Sequence, residues 1–359
     1  MTTILVCGGA GFIGSQMVRH LLDETGGRVA VVDRLTYAGS RDNLVEVMDS
    51  PRLAFYPEDI TDRPAMTAIF ARERPRWVVN FAAETHVDRS IDDASPFIHA
   101  NVTGVQTLLD ASLTHWRTLP EEEREAFRFL QISTDEVYGA LGESGEFRES
   151  DPLAPNSPYA ASKAAGDLLA RAWRQTHGLP TLVTRCSNNY GPRQFPEKLI
   201  PLMLLNAREG RPLPVYGDGG NVRDWIHVAD HCAALLQVLE RGQPGEIYNI
   251  GGNCEHTNLH LVQSLCAILQ ELLPAGENPR LREQGLDDYR SLIRFVPDRP
   301  GHDRRYAVNS DKLQQALGWR PRVPLAEGLA QTVRWYLENE AWRLAAESRY
   351  RRERLGLAM

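Results

Sequence analysis

Short apolar runs alternate with longer segments of helical period over the first half of the chain. The runs are rich in Val, Ile, Leu and aromatic residues, and they predict buried strands over residues 3–7, 29–33, 53–57, 77–83, 127–133 and 181–187. Segments such as SQMVRHLLDE and VTGVQTLLDASL follow them, with apolar residues at the spacing of a helix. Strands that are apolar on both faces and alternate with helices predict a parallel, doubly wound α/β sheet.

Beyond residue 188 the pattern changes to Gly- and Pro-punctuated loops and shorter helices. The run EIYNIGG predicts a strand that returns to the first sheet. We therefore expect a first domain over 1–187 with a returning segment at about 222–252. A smaller, interleaved α/β lobe would occupy 188–221 and 253–340, and 341–359 would form a polar C-terminal tail.

Composition and charge exclude several classes of protein. The net charge of −7 over 359 residues favours neither nucleic acid nor an anionic membrane as a partner. Five cysteines, odd in number and without CxxC spacing, argue against a disulfide framework or a zinc site and suit a reducing compartment. No run reaches the ~20 apolar residues of a membrane helix. We expect a cytoplasmic protein with no metal centre.

A glycine-rich turn, GGAGFIG, follows the first predicted strand directly. Gly8, Gly11 and Gly14 would allow a tight turn and bring backbone N–H groups at a helix N-terminus close to a pyrophosphate. Asp33, 19 residues after Gly14, ends the second predicted strand, where a carboxylate can bind an adenosine ribose. This arrangement predicts NAD rather than NADP, although Arg34 weakens the preference. Further predicted cofactor contacts are Phe12, Ile13, Asp59, Ile60, Ala82 and Ala83.

Tyr159 and Lys163 are four residues apart in SPYAASKAAGDLL, so a helix would present both on one face. A phenol has a pKa near 10 and is a weak base at neutral pH, but a neighbouring cation can stabilise its charged form. The pair predicts acid–base chemistry next to the cofactor, with both residues also contacting it. A surface helix with an amphipathic tyrosine is the alternative.

Together, the glycine turn, the strand-end triplet T-D-E and the Y-x-x-x-K pair resemble the extended short-chain dehydrogenase/reductase family, which has a Rossmann-type fold. Within it, GGAGFIGS, AAETHVDRSI, STDEVYG, SNNYGP, FPEKLIPL and DRPGHDRRY are similar to the NDP-sugar 4,6-dehydratases, from residue 3 to about residue 340. The resemblance assigns Thr134, Tyr159 and Lys163 to the catalytic triad. Asn189 would be a further cofactor contact.

The resemblance also suggests why two carboxylates, Asp135 and Glu136, end a buried strand. It implies oxidation of a nucleotide-linked glucose at C4, elimination of water across C5–C6, and return of the hydride to C6. Glu136 would be the base for H5 and Asp135 the acid for the leaving hydroxyl. Adjacent carboxyl groups in a desolvated site can differ in pKa in the way this step requires. An isolated Asp-Glu pair could instead merely cap a turn.

The family's substrate contacts can be carried over to matching positions. They are Thr85, Thr134, Asn188, Lys198, Leu199, Pro214, Tyr216, Arg223, Asn258, Arg299 and His302. The loop after SNNYGP departs from the family pattern, with Arg193 and Gln194 where Tyr-His is usual. The resemblance implies dTDP-glucose as substrate and a homodimer built on two helices near 99–115 and 157–175.

Three alternatives stay open at this point. An NDP-sugar 4-epimerase or a decarboxylase could use the same scaffold, although Asp135 argues against both. A non-catalytic NAD-binding regulator is another possibility, although such proteins commonly lose the Tyr or the Lys. The sequence does not distinguish dTDP from UDP as the carrier of the sugar.

Overall fold

The computed structural model describes residues 2–298 and 301–350 of the chain. Its strands are β1 (Thr3–Cys7), β2 (Arg28–Val32), β3 (Leu53–Tyr56), β4 (Trp77–Asn80), β5 (Arg128–Thr134), β6 (Thr181–Cys186), β7 (Asn188–Tyr190), β8 (Leu213–Tyr216), β9 (Val222–His227), β10 (Ile247–Ile250), β11 (Glu255–Thr257) and β12 (Ile293–Val296). Its helices are α1 (Phe12–Glu24), α2 (Arg63–Glu73), α3 (Val87–Asp92), α4 (Ser95–Ile98), α5 (Val105–Thr118), α6 (Glu121–Ala126), α7 (Pro158–His177), α8 (Leu199–Arg208), α9 (Val228–Arg241), α10 (Asn258–Leu272), α11 (Pro279–Glu283), α12 (Asp311–Leu317), α13 (Leu325–Glu338) and α14 (Glu340–Arg349).

Seven parallel strands form the main sheet, in the order β10-β6-β5-β4-β1-β2-β3. The chain runs outward from β1 to β3, then crosses back and runs outward again from β4 to β10. The strand order therefore reverses between β1 and β4, which is where ligands bind in sheets of this kind. The predicted Rossmann-type doubly wound sheet is confirmed.

Apolar layers cover both faces of this sheet because its strands are buried on both sides. On one face α1 and α9 pack against residues such as Ile4 and Val29, and on the other α2 and α5 pack against residues such as Leu5 and Val78. A separate core lies in the second lobe, where α8, α10 and α13 pack together. This lobe also carries a sheet of three strands (β11-β9-β7) and one of two (β12-β8).

The predicted returning segment at 222–252 divides between the two lobes. Strand β10 pairs with β6 in the main sheet and α9 packs on α1, whereas β9 pairs with β7 and β11. The prediction of a polar tail over 341–359 is wrong for its first residues, which form α14. Trp342 and Ala346 of this helix are buried in the second core, because apolar residues four apart share one helix face. Residues 351–359 lie outside the described part of the chain.

Candidate active site

A cleft of about 300 Å³ lies at the carboxyl ends of the main-sheet strands, beside the reversal of strand order. Its walls come from the glycine turn after β1, the ends of β2, β4, β5 and β6, helix α7, and the segment 186–198. Backbone and side chains from well-separated parts of the sequence therefore meet in one place.

The glycine turn is shaped by positions that exclude a side chain. Gly8 has φ +75°, and a Cβ there would lie 2.5 Å from the backbone nitrogen of Ala82. A Cβ on Gly14 would lie 2.1 Å from the carbonyl oxygen of Gly8. Helix α1 begins after Gly11 without a side-chain cap and without an acidic residue in its first turn. The helix N-terminus is therefore suited to an anionic ligand such as a pyrophosphate.

The carboxylate of Asp33 is held at the end of β2 by two backbone donors. Ala10 of the glycine turn donates to Oδ2 and Leu35 donates to Oδ1, both at 2.9 Å. The next residue, Arg34, pairs with Asp59 at 2.9 Å and with Glu84 at 2.7 Å. Because two carboxylates already engage this guanidinium, Arg34 is poorly placed to bind a 2′-phosphate, and the predicted preference for NAD over NADP gains support.

The triplet Thr134-Asp135-Glu136 forms the floor of the cleft, where β5 passes into a short 3-10 helix, Asp135–Tyr138. The Thr134 hydroxyl caps this helix by accepting the backbone N–H of Glu136 at 3.3 Å. The same hydroxyl donates to Oδ1 of Asp135 at 3.1 Å. A side chain therefore does cap this short helix, but it is the side chain of Thr134. The two carboxylates are not needed for capping.

Asp135 is buried, and burial together with the neighbouring charge of Glu136 raises the pKa of its carboxyl group to about 8. Its Oδ2 has no hydrogen-bond partner among the described residues. A carboxyl group of this kind holds its proton at neutral pH. Asp135 can therefore act as a proton donor to a group that enters the cleft.

Tyr159 and Lys163 project from α7, whose start is fixed by Ser157 accepting the N–H of Ala160 and by Pro158 in the first turn. Burial, followed by the charge of Glu136, raises the pKa of Tyr159 well above its usual value. Burial lowers the pKa of Lys163, whereas the carboxylate of Asp167 raises it. The Lys163 ammonium donates to the carbonyl oxygen of Ile132 at 2.6 Å. In the ligand-free protein, the effect of burial on the pKa of Tyr159 thus outweighs that of the Lys163 cation, and Tyr159 keeps its proton.

Comparison with known proteins places this architecture in a family. A family model described as GDP-mannose 4,6 dehydratase matches residues 5–332. A dTDP-glucose 4,6-dehydratase of Neisseria meningitidis serogroup B is 54% identical over 358 residues, which cover 99% of each chain. The chain belongs to the dTDP-glucose 4,6-dehydratase family.

Solved structures agree with this family assignment. A dTDP-glucose 4,6-dehydratase of Bacillus anthracis, crystallised in complex with NAD, has a TM-score of 0.84 and 42% identity, with 96% of this chain and 100% of that chain covered. One from Streptomyces venezuelae, with NAD and TYD bound, has a TM-score of 0.83 and 48% identity, covering 95% and 98% of the two chains.

The cleft brings together every residue that the sequence singled out as a cofactor or catalytic contact. Those lining it are Gly8, Gly11, Phe12, Ile13, Gly14, Asp33, Asp59, Ile60, Ala82, Ala83, Thr134, Asp135, Glu136, Tyr159, Lys163 and Asn189. Three more lining residues were predicted as substrate contacts, namely Thr85, Asn188 and Lys198. The Lys198 ammonium donates to the carbonyl oxygen of Thr85 at 2.9 Å, which joins the second lobe to the end of β4.

Four of the remaining predicted substrate contacts belong to the second lobe, and one of them, Arg223, is close enough to Asp135 to affect its pKa. The Arg223 guanidinium donates to the carbonyl oxygen of Asp303 at 2.9 Å, and its charge acts to lower the pKa of Asp135. The rings of Tyr216 and His302 are 6.1 Å apart, and Asn258 donates its backbone N–H to Asn221, two residues before Arg223.

Three predicted contacts differ from this group. Pro214 belongs to the same strand as Tyr216, and neither residue lines the cleft. The side chain of Leu199 packs on the second core instead of lining the cleft, because it begins the amphipathic helix α8. Arg299 lies outside the described residues.

Several lining residues were not predicted from the sequence. The side chain of Glu197 is 2% exposed, it accepts the Tyr37 hydroxyl at 3.1 Å, and burial raises its pKa. Its position next to Lys198 in FPEKLIPL was the only local signal. Phe195 and Gln194 also line the cleft, and Gln194 donates to the carbonyl oxygen of Asn189 at 3.0 Å.

Two further features of the described residues bear on possible partners. No group of three or more His, Cys, Asp or Glu side chains in this part of the chain could hold a metal ion. Across the same residues, none of the helices has the length and apolar character needed to cross a bilayer.

Proposed function

We propose that this chain catalyses the NAD-dependent dehydration of dTDP-glucose to dTDP-4-keto-6-deoxyglucose. The observation that carries the proposal is the buried carboxyl group of Asp135, whose pKa is raised by burial and by Glu136 and which shares a cleft with Glu136, Tyr159 and Lys163. A 4-epimerisation has no use for such an acid, because no bond to a hydroxyl group is broken.

The residues of the cleft fit NAD. The glycine turn leaves room for the pyrophosphate, the uncapped start of α1 supplies donors, and Asp33 can accept from the ribose. NAD bound there would supply a reversible hydride acceptor for C4 and donor for C6, so no other oxidant is needed. Its positive nicotinamide ring would also favour the charged form of Tyr159, which burial alone disfavours.

The protein's own groups would move three protons. Tyr159 would accept the proton of the C4 hydroxyl, with Lys163 stabilising the phenolate. The resulting C4 ketone makes H5 acidic, and Glu136 would remove it. As the C6–O bond breaks, its electron pair would leave with the hydroxyl group, which would take the proton of Asp135 and depart as water. When the hydride returns to C6, Glu136 would give its proton back to C5, which completes the 4-keto-6-deoxy product. General acid–base steps of this kind each contribute roughly 10²–10⁴-fold in rate.

The direct test is to incubate the purified protein with dTDP-glucose and with UDP-glucose separately and to follow product mass. Loss of one water from the dTDP-sugar without an added reductant supports the proposal. Unchanged mass with a new C4 epimer would identify an epimerase instead. In a parallel incubation with a nucleotide-linked uronic acid, loss of carbon dioxide would identify a decarboxylase. Retained NAD with no turnover of any sugar would favour a non-catalytic regulator.

Glu136→Gln is the matched variant for this test. The amide has nearly the shape of the carboxylate but cannot accept H5 in this way, so we expect kcat to fall roughly 10²–10⁴-fold. NAD should stay bound. A Glu136→Gln enzyme that dehydrates at the wild-type rate would contradict the assignment of this residue as the base.

We also propose a homodimer. Two large apolar side chains on neighbouring helices are half-exposed, Ile98 at 50% and Leu168 at 55%, and they lie where the family resemblance suggests the dimer helices. A charged residue in a buried interface is costly. Leu168→Lys should therefore convert dimer to monomer in light scattering, and an unchanged mass would contradict this interface.

The thiols suit a cytoplasmic location. All five cysteines are free, and four of them are buried. Proteins of oxidising compartments usually pair their cysteines. Fractionation of the native organism, with detection of the untagged protein, tests this proposal.

A further inference from the structure

Helix α14 packs against the cofactor half of the cleft, by which we mean the part lined by the predicted cofactor contacts. It lies beyond the residues that the family model matches, which end at 332. Trp342 is 9% exposed, and its ring contacts Trp335 and Tyr336 at centroid distances of 5.0 and 5.8 Å. Packing alone accounts for the burial of Trp342. It does not explain why the indole N–H also makes a hydrogen bond, which is described next.

A chain of two hydrogen bonds connects α14 to the glycine turn. The indole N–H of Trp342 donates to Oδ1 of Asn43 at 2.6 Å. The amide of Asn43 donates in turn to the carbonyl oxygen of Ala10 at 2.7 Å. Asn43 is buried, so each of these bonds satisfies a group that water does not reach. Ala10 lies within the glycine turn, whose glycines have no side chains with which to hold its shape.

A second contact joins the end of α14 to the same half of the cleft. The Arg349 guanidinium donates to the carbonyl oxygen of Gly39 at 3.3 Å, and Gly39 lines the cleft. The Tyr350 ring lies 6.0 Å from that of Phe195, another lining residue. The helix therefore contacts two parts of the cleft wall besides the glycine turn.

We propose that Asn43 and Trp342 are positioning residues for the cofactor, through which α14 braces the glycine turn and slows the release of NAD. The inference rests on the proposed function in taking NAD as the ligand. Preorganising a loop in its bound shape strengthens binding by reducing the ordering that binding requires. An enzyme that returns its hydride to the same substrate gains from a cofactor that stays bound throughout.

Trp342→Phe tests the brace because it keeps an apolar aromatic ring while removing the N–H donor. We expect NAD to dissociate roughly five- to tenfold faster, the effect of losing one buried hydrogen bond. Trp335→Phe is the matched control, because it makes the same change in the same aromatic cluster. The Trp335 ring lies under the Arg193 guanidinium and does not contact Asn43. Its dissociation rate should stay within twofold of wild type.

Asn43→Asp separates the two bonds of the chain. The carboxylate can still accept from Trp342, but it can no longer donate to Ala10 and repels that carbonyl oxygen. NAD should therefore leave faster than from Trp342→Phe. If the two residues act in series, the double variant should release NAD no faster than Asn43→Asp alone, because the bond that Trp342 makes then has nothing to transmit.

Amide hydrogen exchange over residues 8–14 gives a readout that does not depend on NAD. In the ligand-free protein, Trp342→Phe should accelerate exchange there, and Trp335→Phe should not. Equal amide exchange and equal NAD dissociation rates in the two variants would contradict the proposal. Helix α14 would then only pack against the second core. If the wild-type protein binds no NAD, the proposed function fails, and the exchange experiment still decides whether the brace exists.

Discussion

The cofactor half of the cleft and the substrate contacts predicted in the second lobe differ in what holds each residue in place. In the cofactor half, the glycine turn and Asp33 directly follow β1 and β2, the strand-end triplet lies at the end of β5, and each cofactor contact predicted there lines the cleft. Among the substrate contacts predicted in the second lobe, here called the substrate half, Arg223 donates to the backbone of Asp303, 80 residues later. Short patterns along the chain thus describe the cofactor half well, whereas the substrate half is assembled from distant segments.

This difference predicts which kind of substitution should damage each half. The cofactor half is shaped by the backbone, so adding atoms to it should be damaging. The substrate half is shaped by long side chains held at their ends, so shortening or reshaping those side chains should matter more. The following substitutions compare the two directly.

Gly14→Ala should have the largest effect. Its Cβ would lie 2.1 Å from the carbonyl oxygen of Gly8, so backbone must move, and overpacking of this kind costs about 3 kcal/mol of unfolding free energy. We expect the purified protein to lose its NAD and to melt at a lower temperature. Gly11→Ala is the comparison, because its Cβ would lie 3.3 Å from the same oxygen. Equal melting temperatures for the two variants would contradict the steric argument.

Arg223→Lys should weaken the substrate half alone. The guanidinium makes several hydrogen bonds to the backbone around Asp303 and stacks 4.4 Å from the centre of the Tyr306 ring, and an ammonium group cannot reproduce both. We expect KM for dTDP-glucose to rise roughly 10- to 100-fold, the effect of losing one or two charge-assisted bonds. NAD content should be unchanged.

Arg304→Lys provides the control for Arg223→Lys. Arg304 pairs with Asp218 at 2.8 Å, but both side chains are mostly exposed, and such pairs contribute little. Its KM should match that of the wild-type enzyme. A rise of similar size in both variants would mean that the whole loop, rather than Arg223, determines substrate binding.

The pH dependence of the elimination step should follow the protonation of Asp135, which lies where the two halves meet. Burial and the charge of Glu136 raise the pKa of Asp135 to about 8, and the acid role requires the protonated form. The protonated fraction falls tenfold for each pH unit above the pKa, so the rate of water loss should decline with unit slope above about pH 8. Single-turnover measurements with product mass as the readout check this. A rate that stays level through pH 10 would exclude Asp135 as the acid.

Arg34→Ser should have the smallest effect. Arg34 is partly exposed and already pairs with Asp59 and Glu84, so its removal should change the discrimination between NAD and NADP less than about threefold, as expected for an exposed ion pair. Competition binding with the two cofactors measures this ratio. A large gain of NAD preference in the variant would mean that Arg34 does reach a 2′-phosphate.

The fold was predictable because its strands are continuous apolar runs with glycine and polar residues at their ends. The NAD-side contacts followed from the same local pattern. Helix α14 was missed because basic and polar residues surround Trp342 and Ala346, and its apolar face becomes apparent only when the second core is in place. Glu197 was missed for a related reason, since its burial depends on Tyr37 from a segment 160 residues earlier.

Strand β10 has a consequence for the synthesis of this protein. It completes the edge of the main sheet next to β6, yet β7, α8, β8, β9 and α9 lie between the two strands along the chain. A nascent chain therefore cannot finish its first sheet until residue 250 has left the ribosome. Until then β6 is an open, apolar edge of the kind that recruits other strands. The interval between translation of β6 and of β10 is therefore the period in which this sheet edge is most open to pairing with other strands.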